Sequence, residues 1–306
     1  SRTEKMTRLL GNRNFIFFLA IGLGLLLPGP SDWTKLLMMP ALALVMTLAT
    51  VNVPNDYFLN PRAAVMPSVM GILMTYGLLG GVILAASALL IDDRNLWIGF
   101  VLIAAVPPAV AVIPFTAILD GNVSYTLSGT VAAYLAALVV MPFLFWLFIG
   151  TGFADPWKLV RIMLLLIVLP LILSRVILFL SWQDRITPVR GLITDCGFFI
   201  VLYSMIGVNR DLIFSKPLVL LPVVGVVWAA TFVLGFAIEK IGAIFKVNQK
   251  NRISLVLLGT LKNQGIAGGL AIVLFEKEAA LPSAVYSIFM ILYIMWLDLR
   301  RHLKSS

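Results

Sequence analysis

Long apolar runs separated by short polar connections fill the chain. Ten such runs can be drawn, at roughly 14–29, 34–51, 66–91, 96–119, 124–150, 157–182, 190–208, 216–238, 253–275 and 280–299. Most are long enough to cross a bilayer whose hydrocarbon core is about 30 Å thick. Apolar and polar residues do not alternate within them, as they would in the strands of a membrane barrel. The pattern predicts an all-α polytopic membrane protein with ten transmembrane helices. Its longest polar connections, Asn52–Arg62 and Lys240–Arg252, are too short to hold a soluble domain. Asp155-Pro156 marks a turn near the middle of the chain. It divides the sequence into 1–150 and 151–306, with five runs in each part. Arg2–Asn14 is largely polar and the run after it is long enough to span, so no cleavable signal peptide is expected.

Composition agrees with the pattern. The chain has 306 residues, 61% hydrophobic and 12% charged, with mean hydropathy +1.03. A soluble domain carries about one quarter charged residues. The net charge of +9 does not point to nucleic acid, because the basic residues sit mostly at the ends of apolar runs. With ten spans both termini share one side of the membrane. That side carries fourteen of the 23 lysines and arginines and the other side seven; the remaining two, Arg175 and Lys262, lie inside runs. The positive-inside rule therefore puts both termini in the cytoplasm, in a bacterial inner membrane. Cys196 is the only cysteine and reads as a small packed residue, and His302 is the only histidine. Haem ligation, a histidine or cysteine metal site and an intramolecular disulfide are thus unexpected. No paired carboxylates or nucleophile–histidine pair share one depth, so no enzyme and no cofactor is expected.

Two runs are interrupted. The ninth contains Leu257–Ala271, in which Lys262, Asn263 and Gln264 lie among Gly259, Gly265, Gly268 and Gly269. A lysine at mid-membrane depth costs about 3 kcal/mol or more unless it faces a polar interior. Glycine is a poor helix former and asparagine competes for backbone hydrogen bonds, so the helix is expected to open here. About nine residues, roughly 14 Å of helix, separate Lys262 from the start of its run, farther than a lysine stem can snorkel. The fourth run holds Pro107 and Pro108 near its centre, and proline breaks a helix interior. Five spans per half would turn the second half upside down relative to the first. The fourth and ninth runs are then equivalents in an inverted repeat, and paired interruptions of this kind point to a binding site.

Val106-Pro107-Pro108, Leu119-Asp120-Gly121-Asn122 and Asn263-Gln264-Gly265-Ile266-Ala267 resemble motifs of the bile acid:sodium symporter family. That resemblance extends over nearly the whole chain. It implies ten spans in two inverted five-helix repeats, with helices 4 and 9 discontinuous and crossed, and with interleaved core and panel domains. It also implies a secondary transporter of a small organic anion working by alternating access. Family sodium sites use a glutamate and a glutamine on the ninth span, a Ser/Asn pair on the fourth and hydroxyls on the fifth. Aligned on Asn263-x-Gly265, those positions hold Leu258, Lys262, Val112 and Ile113, and only the hydroxyls persist, as Thr126 and Thr130. A buried ammonium repels sodium. Coupling to sodium through those positions is therefore not expected.

The candidate substrate and coupling residues are Lys262, Asn263, Gln264, Gly265, Pro107, Pro108, Thr126 and Thr130. Two roles are open to Lys262: a fixed cation that donates to exposed carbonyls, or a titrating group that carries a coupling proton. Arg175 and Asp195 approach the same side of the membrane from runs six and seven. They read as a salt bridge or snorkelling pair, or more sharply as a gate. Asn209, Arg210 and Asp211 are expected to begin a solvated loop. The alternative function is a cation/proton antiporter of related architecture, which normally needs a central carboxylate that this chain lacks. The expected partners are the lipid bilayer and a small organic anion, and nothing in the sequence indicates an oligomeric state.

Overall fold

A computed structural model of the chain describes residues 13–51, 61–109, 111–150, 156–215 and 217–305. The N-terminal segment before Arg13, most of the Asn52–Arg62 connection and the turn at Asp155 lie outside the described residues. All regular structure among the described residues is helical. In chain order the helices are α1 (Arg13–Leu26), α2 (Ser31–Thr50), α3 (Ala64–Leu90), α4 (Arg94–Ala105), α5 (Val112–Ile118), α6 (Val123–Phe148), α7 (Trp157–Phe179), α8 (Gln183–Ser215), α9 (Pro217–Ile244), α10 (Gln249–Leu258), α11 (Gln264–Leu274) and α12 (Lys277–Arg301). Seven of them, α2, α3, α6, α7, α8, α9 and α12, are long and apolar enough to cross a membrane; α1, α4 and α11 are apolar but shorter.

Large apolar side chains face outward as well as inward. Phe179 is 88% exposed, and Leu89 and Trp157 are similarly bare. A soluble monomer does not carry so much contiguous apolar surface; hydrocarbon around the helices accounts for it.

The helices pack in two groups. In the first, α8 runs along α1 and α2, and α7 lies against α2. In the second, α3 packs on α6, α4 on α3, α6, α11 and α12, and α9 on α3, α10 and α12. Each group draws helices from both halves of the chain. α3 and α6 meet backbone to backbone: a Cβ built on Gly71 would collide with the Cα of Gly129. Small residues facing each other allow backbones to come this near.

Two expectations are corrected. The seventh run was bounded at 190–208, but α8 continues to Ser215, so Asn209, Arg210 and Asp211 are helical rather than part of a loop. The helix persists because each of these side chains has at least one partner, on α8 itself or at the end of α1. Asn209 is 1% exposed and its Nδ2 donates to the Met205 carbonyl at 3.0 Å. Arg210 Nε donates to the Leu25 carbonyl at the end of α1 at 2.9 Å and its Nη1 pairs with Asp211. Cys196 is exposed, not packed, because the helical phase of α8 turns it away from the neighbouring buried Asp195 and Gly197.

Candidate functional site

The site begins where α4 stops. Pro107 pushes the residue before it out of helical conformation, and Val106 is extended, with φ −71° and ψ 155°. The chain resumes as α5 only at Val112. The second interruption separates α10 from α11. Gly259 ends α10, and Asn263 caps α11 by accepting from the Ile266 N–H at 3.1 Å. The two gaps lie side by side. Pro108 and Lys262 face each other in an antiparallel bridge. Its rungs are the Ala109 N–H to the Leu261 carbonyl at 3.2 Å and the Asn263 N–H to the Pro107 carbonyl at 2.9 Å.

Lys262 is fully buried. Its Nζ donates to the Ala104 carbonyl at 2.7 Å and to the Val106 carbonyl at 2.8 Å. These oxygens belong to the C-terminal end of α4, where helix carbonyls lack intrahelical partners and the helix dipole is negative. The same ammonium stands 4.4 Å from the centroid of the Tyr76 ring. A desolvated cation over such a face gains about 2 kcal/mol, and each hydrogen bond made by a charged group contributes about 1.5–3 kcal/mol. No acidic side chain is recorded against it among the described residues.

Three further hydroxyls and one aromatic ring serve the crossing, and sequence reasoning missed all of them. Tyr134 on α6 donates to the Pro108 carbonyl at 3.0 Å and accepts from Asn263 Nδ2 at 3.0 Å. Thr75 on α3 donates to the Leu258 carbonyl at 3.2 Å, and Tyr286 on α12 to the Thr260 carbonyl at 2.8 Å. Tyr76 holds its ring beneath Lys262 while its hydroxyl donates to Ala133 at 2.7 Å. Thr75 and Tyr76 are adjacent in a wide-turned π-helical stretch, Leu73–Gly80, of the kind often found at functional sites. A sequence signal existed for Tyr134: Thr126, Thr130 and Tyr134 recur every four residues and form one polar stripe on an apolar helix.

The remaining predicted residues flank the crossing. Gln264 is 4% exposed, and neither end of its amide has a hydrogen-bond partner. It lines a small cavity of about 60 Å³ with Lys262, Asn263, Phe198, Met205 and Ser287. Gly265 lets α11 approach α2, since a Cβ there would meet Leu42 Cδ2 at 2.6 Å. Thr126 is not at the bridge; its hydroxyl accepts from Thr116 on α5 at 3.0 Å. The buried Thr130 hydroxyl has no partner and lines a larger cavity of about 280 Å³ with Met46, Ile113, Tyr134, Leu171 and Arg175. Arg175 Nη2 donates to the Thr50 carbonyl at 2.7 Å. Asp195 is buried on α8. Both cavities lie between the two helix groups.

Apolar helices that span, and a polar crossing of two interrupted helices buried among them, define an integral membrane protein of the transporter class. The sodium bile acid symporter family model matches residues 39–216, more than half of the chain, and the chain belongs to this family. The family is one of membrane transporters. The match takes in the first interruption and both threonines but ends before Lys262. A protein of Bacillus subtilis (strain 168), "Uncharacterized sodium-dependent transporter YocS", is 23% identical over 195 residues. The alignment takes in 63% of this chain and 60% of that protein, so the chain matches less than two thirds of that relative.

Proposed function

We propose that the protein is a secondary transporter of a small organic anion that works by alternating access, with no sodium coupling through the positions of Leu258, Lys262, Val112 and Ile113. Its ten crossings are the seven long helices, α1, and the two interrupted pairs α4–α5 and α10–α11. The groups α1, α2, α7, α8 and α3–α6, α9–α12 act as panel and core. Substrate meets the crossing in the cavities between them.

One observation carries the anion reading: the unpartnered Gln264 amide opens into a cavity at the N-terminus of α11. The positive dipole end of α11 favours an anionic group, although the N–H groups of Gln264, Ile266 and Ala267 already have acceptors in the chain. On the other face Arg175 stands at a cavity lined almost wholly by apolar residues, which suits the apolar body of the same molecule. The antiporter alternative needs an exchanging carboxylate at the crossing, and the family match does not favour it.

The test is a thermal-shift screen of purified protein with carboxylates and sulfonates of graded apolar size, each paired with its neutral amide. Anions are expected to raise the melting temperature where the amides do not, and the best one should show tracer flux in proteoliposomes. Equal stabilisation by the amides would defeat the anion reading.

A further inference from the structure

Interrupting a helix inside a membrane exposes carbonyl oxygens that must find donors or cations. At this crossing the chain supplies them. Ala104 and Val106 accept from Lys262, and Pro108 accepts from Tyr134. Leu258 and Thr260 accept from Thr75 and Tyr286. Pro107 and Leu261 accept from the two rungs of the bridge. Seven backbone oxygens around the two gaps are thus taken up by the protein's own donors, and the one full positive charge among those donors is the buried ammonium of Lys262.

We infer that the Lys262 ammonium is a resident cation. It occupies the place at the crossing that a bound metal cation would otherwise have to fill, and the crossing is complete without sodium. Two physical facts support this. A sodium ion is bound by several oxygens at short range, as hard cations are, and seven backbone carbonyl oxygens at the gaps are already engaged by the chain's own donors. A second cation about 4 Å from the ammonium, at an effective dielectric near 20, would also lose roughly a thousandfold in affinity through repulsion alone. Two carbonyl acceptors and an aromatic face all favour the charged amine, with no carboxylate beside it to exchange a proton. On this inference the ammonium is a fixed charge and not a proton carrier.

A functional consequence follows, and it rests on the anion-transport reading; the resident cation itself does not. A carrier whose crossing is permanently charged needs no coupling ion to reset. Net movement then follows the substrate's own electrochemical gradient. Across a membrane 100 mV negative inside, a monovalent anion would distribute outward by about fiftyfold. The protein would release such an anion from the cell rather than concentrate it.

The experiment uses cations alone, so it is independent of the unknown substrate. Purified full-length protein is melted in equimolar sodium, potassium and choline chloride, together with Lys262→Ala in choline and in methylammonium chloride. The wild type is expected to melt at one temperature in all three salts. Lys262→Ala should melt lower in choline and recover at least half of the loss in methylammonium, which is small enough to refill the site and donate. If Lys262→Ala does not fold, the double variant Leu258→Glu/Lys262→Gln takes its place and should acquire a sodium-dependent rise that the wild type lacks. A wild type stabilised by sodium over choline overturns the proposal. So does a folded Lys262→Ala that methylammonium leaves unchanged, or a folded double variant indifferent to sodium. Failure of every anion in the flux assay would instead sink the transport reading and leave these melts standing.

Discussion

Tyr134→Phe removes one oxygen atom and keeps the ring. That oxygen lies between the two interruptions, donating to Pro108 and accepting from Asn263 at 3.0 Å each. Without it a buried carbonyl loses its side-chain donor and a buried amide loses its best acceptor; Asn263 Nδ2 keeps only the weak sulfur contact with Met46 at 3.4 Å. Each buried polar group left unsatisfied costs about 1–3 kcal/mol, so the loss should come to about 2–5 kcal/mol. For a chain of this length 1 kcal/mol corresponds to roughly 1.5–2 °C in melting temperature, which predicts a fall of about 3–10 °C. Tyr76→Phe is the internal comparison. Its hydroxyl also reaches a carbonyl, but Ala133 lies within the continuous helix α6 and keeps a helical partner. It should cost only about 1 kcal/mol. Both variants are melted in detergent at one fixed scan rate, because membrane proteins often unfold irreversibly. A double-mutant cycle with Asn263→Ala should show a coupling of about 0.5–3 kcal/mol. If Tyr134→Phe melts within 1 °C of the wild type, or no lower than Tyr76→Phe, Tyr134 is not a tie between the broken helices.

Three other variants test separate parts of the structure. Gly71→Val places a branched side chain against the Gly129 backbone, which has no flexible end to move; α3 and α6 must separate, and little folded protein should be recovered by size-exclusion chromatography. Thr130→Val deletes a buried hydroxyl that has no partner, so melting should be unchanged or higher by up to about 1 kcal/mol equivalent, while affinity for the best anion from the screen should shift. Arg301→Ala releases Asp120 and the Ile118 carbonyl, but the pair is largely exposed; a change of no more than about 1 kcal/mol, shrinking in high salt, should be seen by thermal melt.

The parts of the crossing that were legible in the sequence are those that violate the rules of an apolar helix. Lys262 inside the ninth run and Pro107-Pro108 inside the fourth pointed to broken backbone, and both breaks are present. The groups that make the breaks tolerable were not legible, because they break no rule. Tyrosine in an apolar run reads as core or as interfacial belt. Thr75 and Thr116 read as ordinary membrane residues that satisfy themselves on the preceding turn, as Thr116 also does at Val112. Their role depends on which helix lies opposite, and that is decided by tertiary packing; Thr75 and Leu258 lie 183 residues apart in sequence. The error at Asn209–Asp211 has the opposite cause. Three polar residues in a row look like the end of a span, but the Leu25 carbonyl at the end of α1 offers Arg210 a partner and lets the helix continue.

The antiparallel bridge also fixes where proline is allowed. Pro108 and Lys262 form the pair whose own N–H groups do not join them; the rungs come from Ala109 and Asn263 on either side. Proline therefore forfeits nothing at 108, whereas at 109 it would remove a rung. The two gaps are in this way stitched into one stiff joint. Pulling α4–α5 away from α10–α11 would break both rungs and both lysine contacts at once. Any sliding of one helix group past the other must then carry the joint as a block, with strain falling on the long connections instead. Hydrogen exchange should record this directly: the amides of Ala109 and Asn263, although they lie in non-helical backbone, should be among the slowest in the molecule.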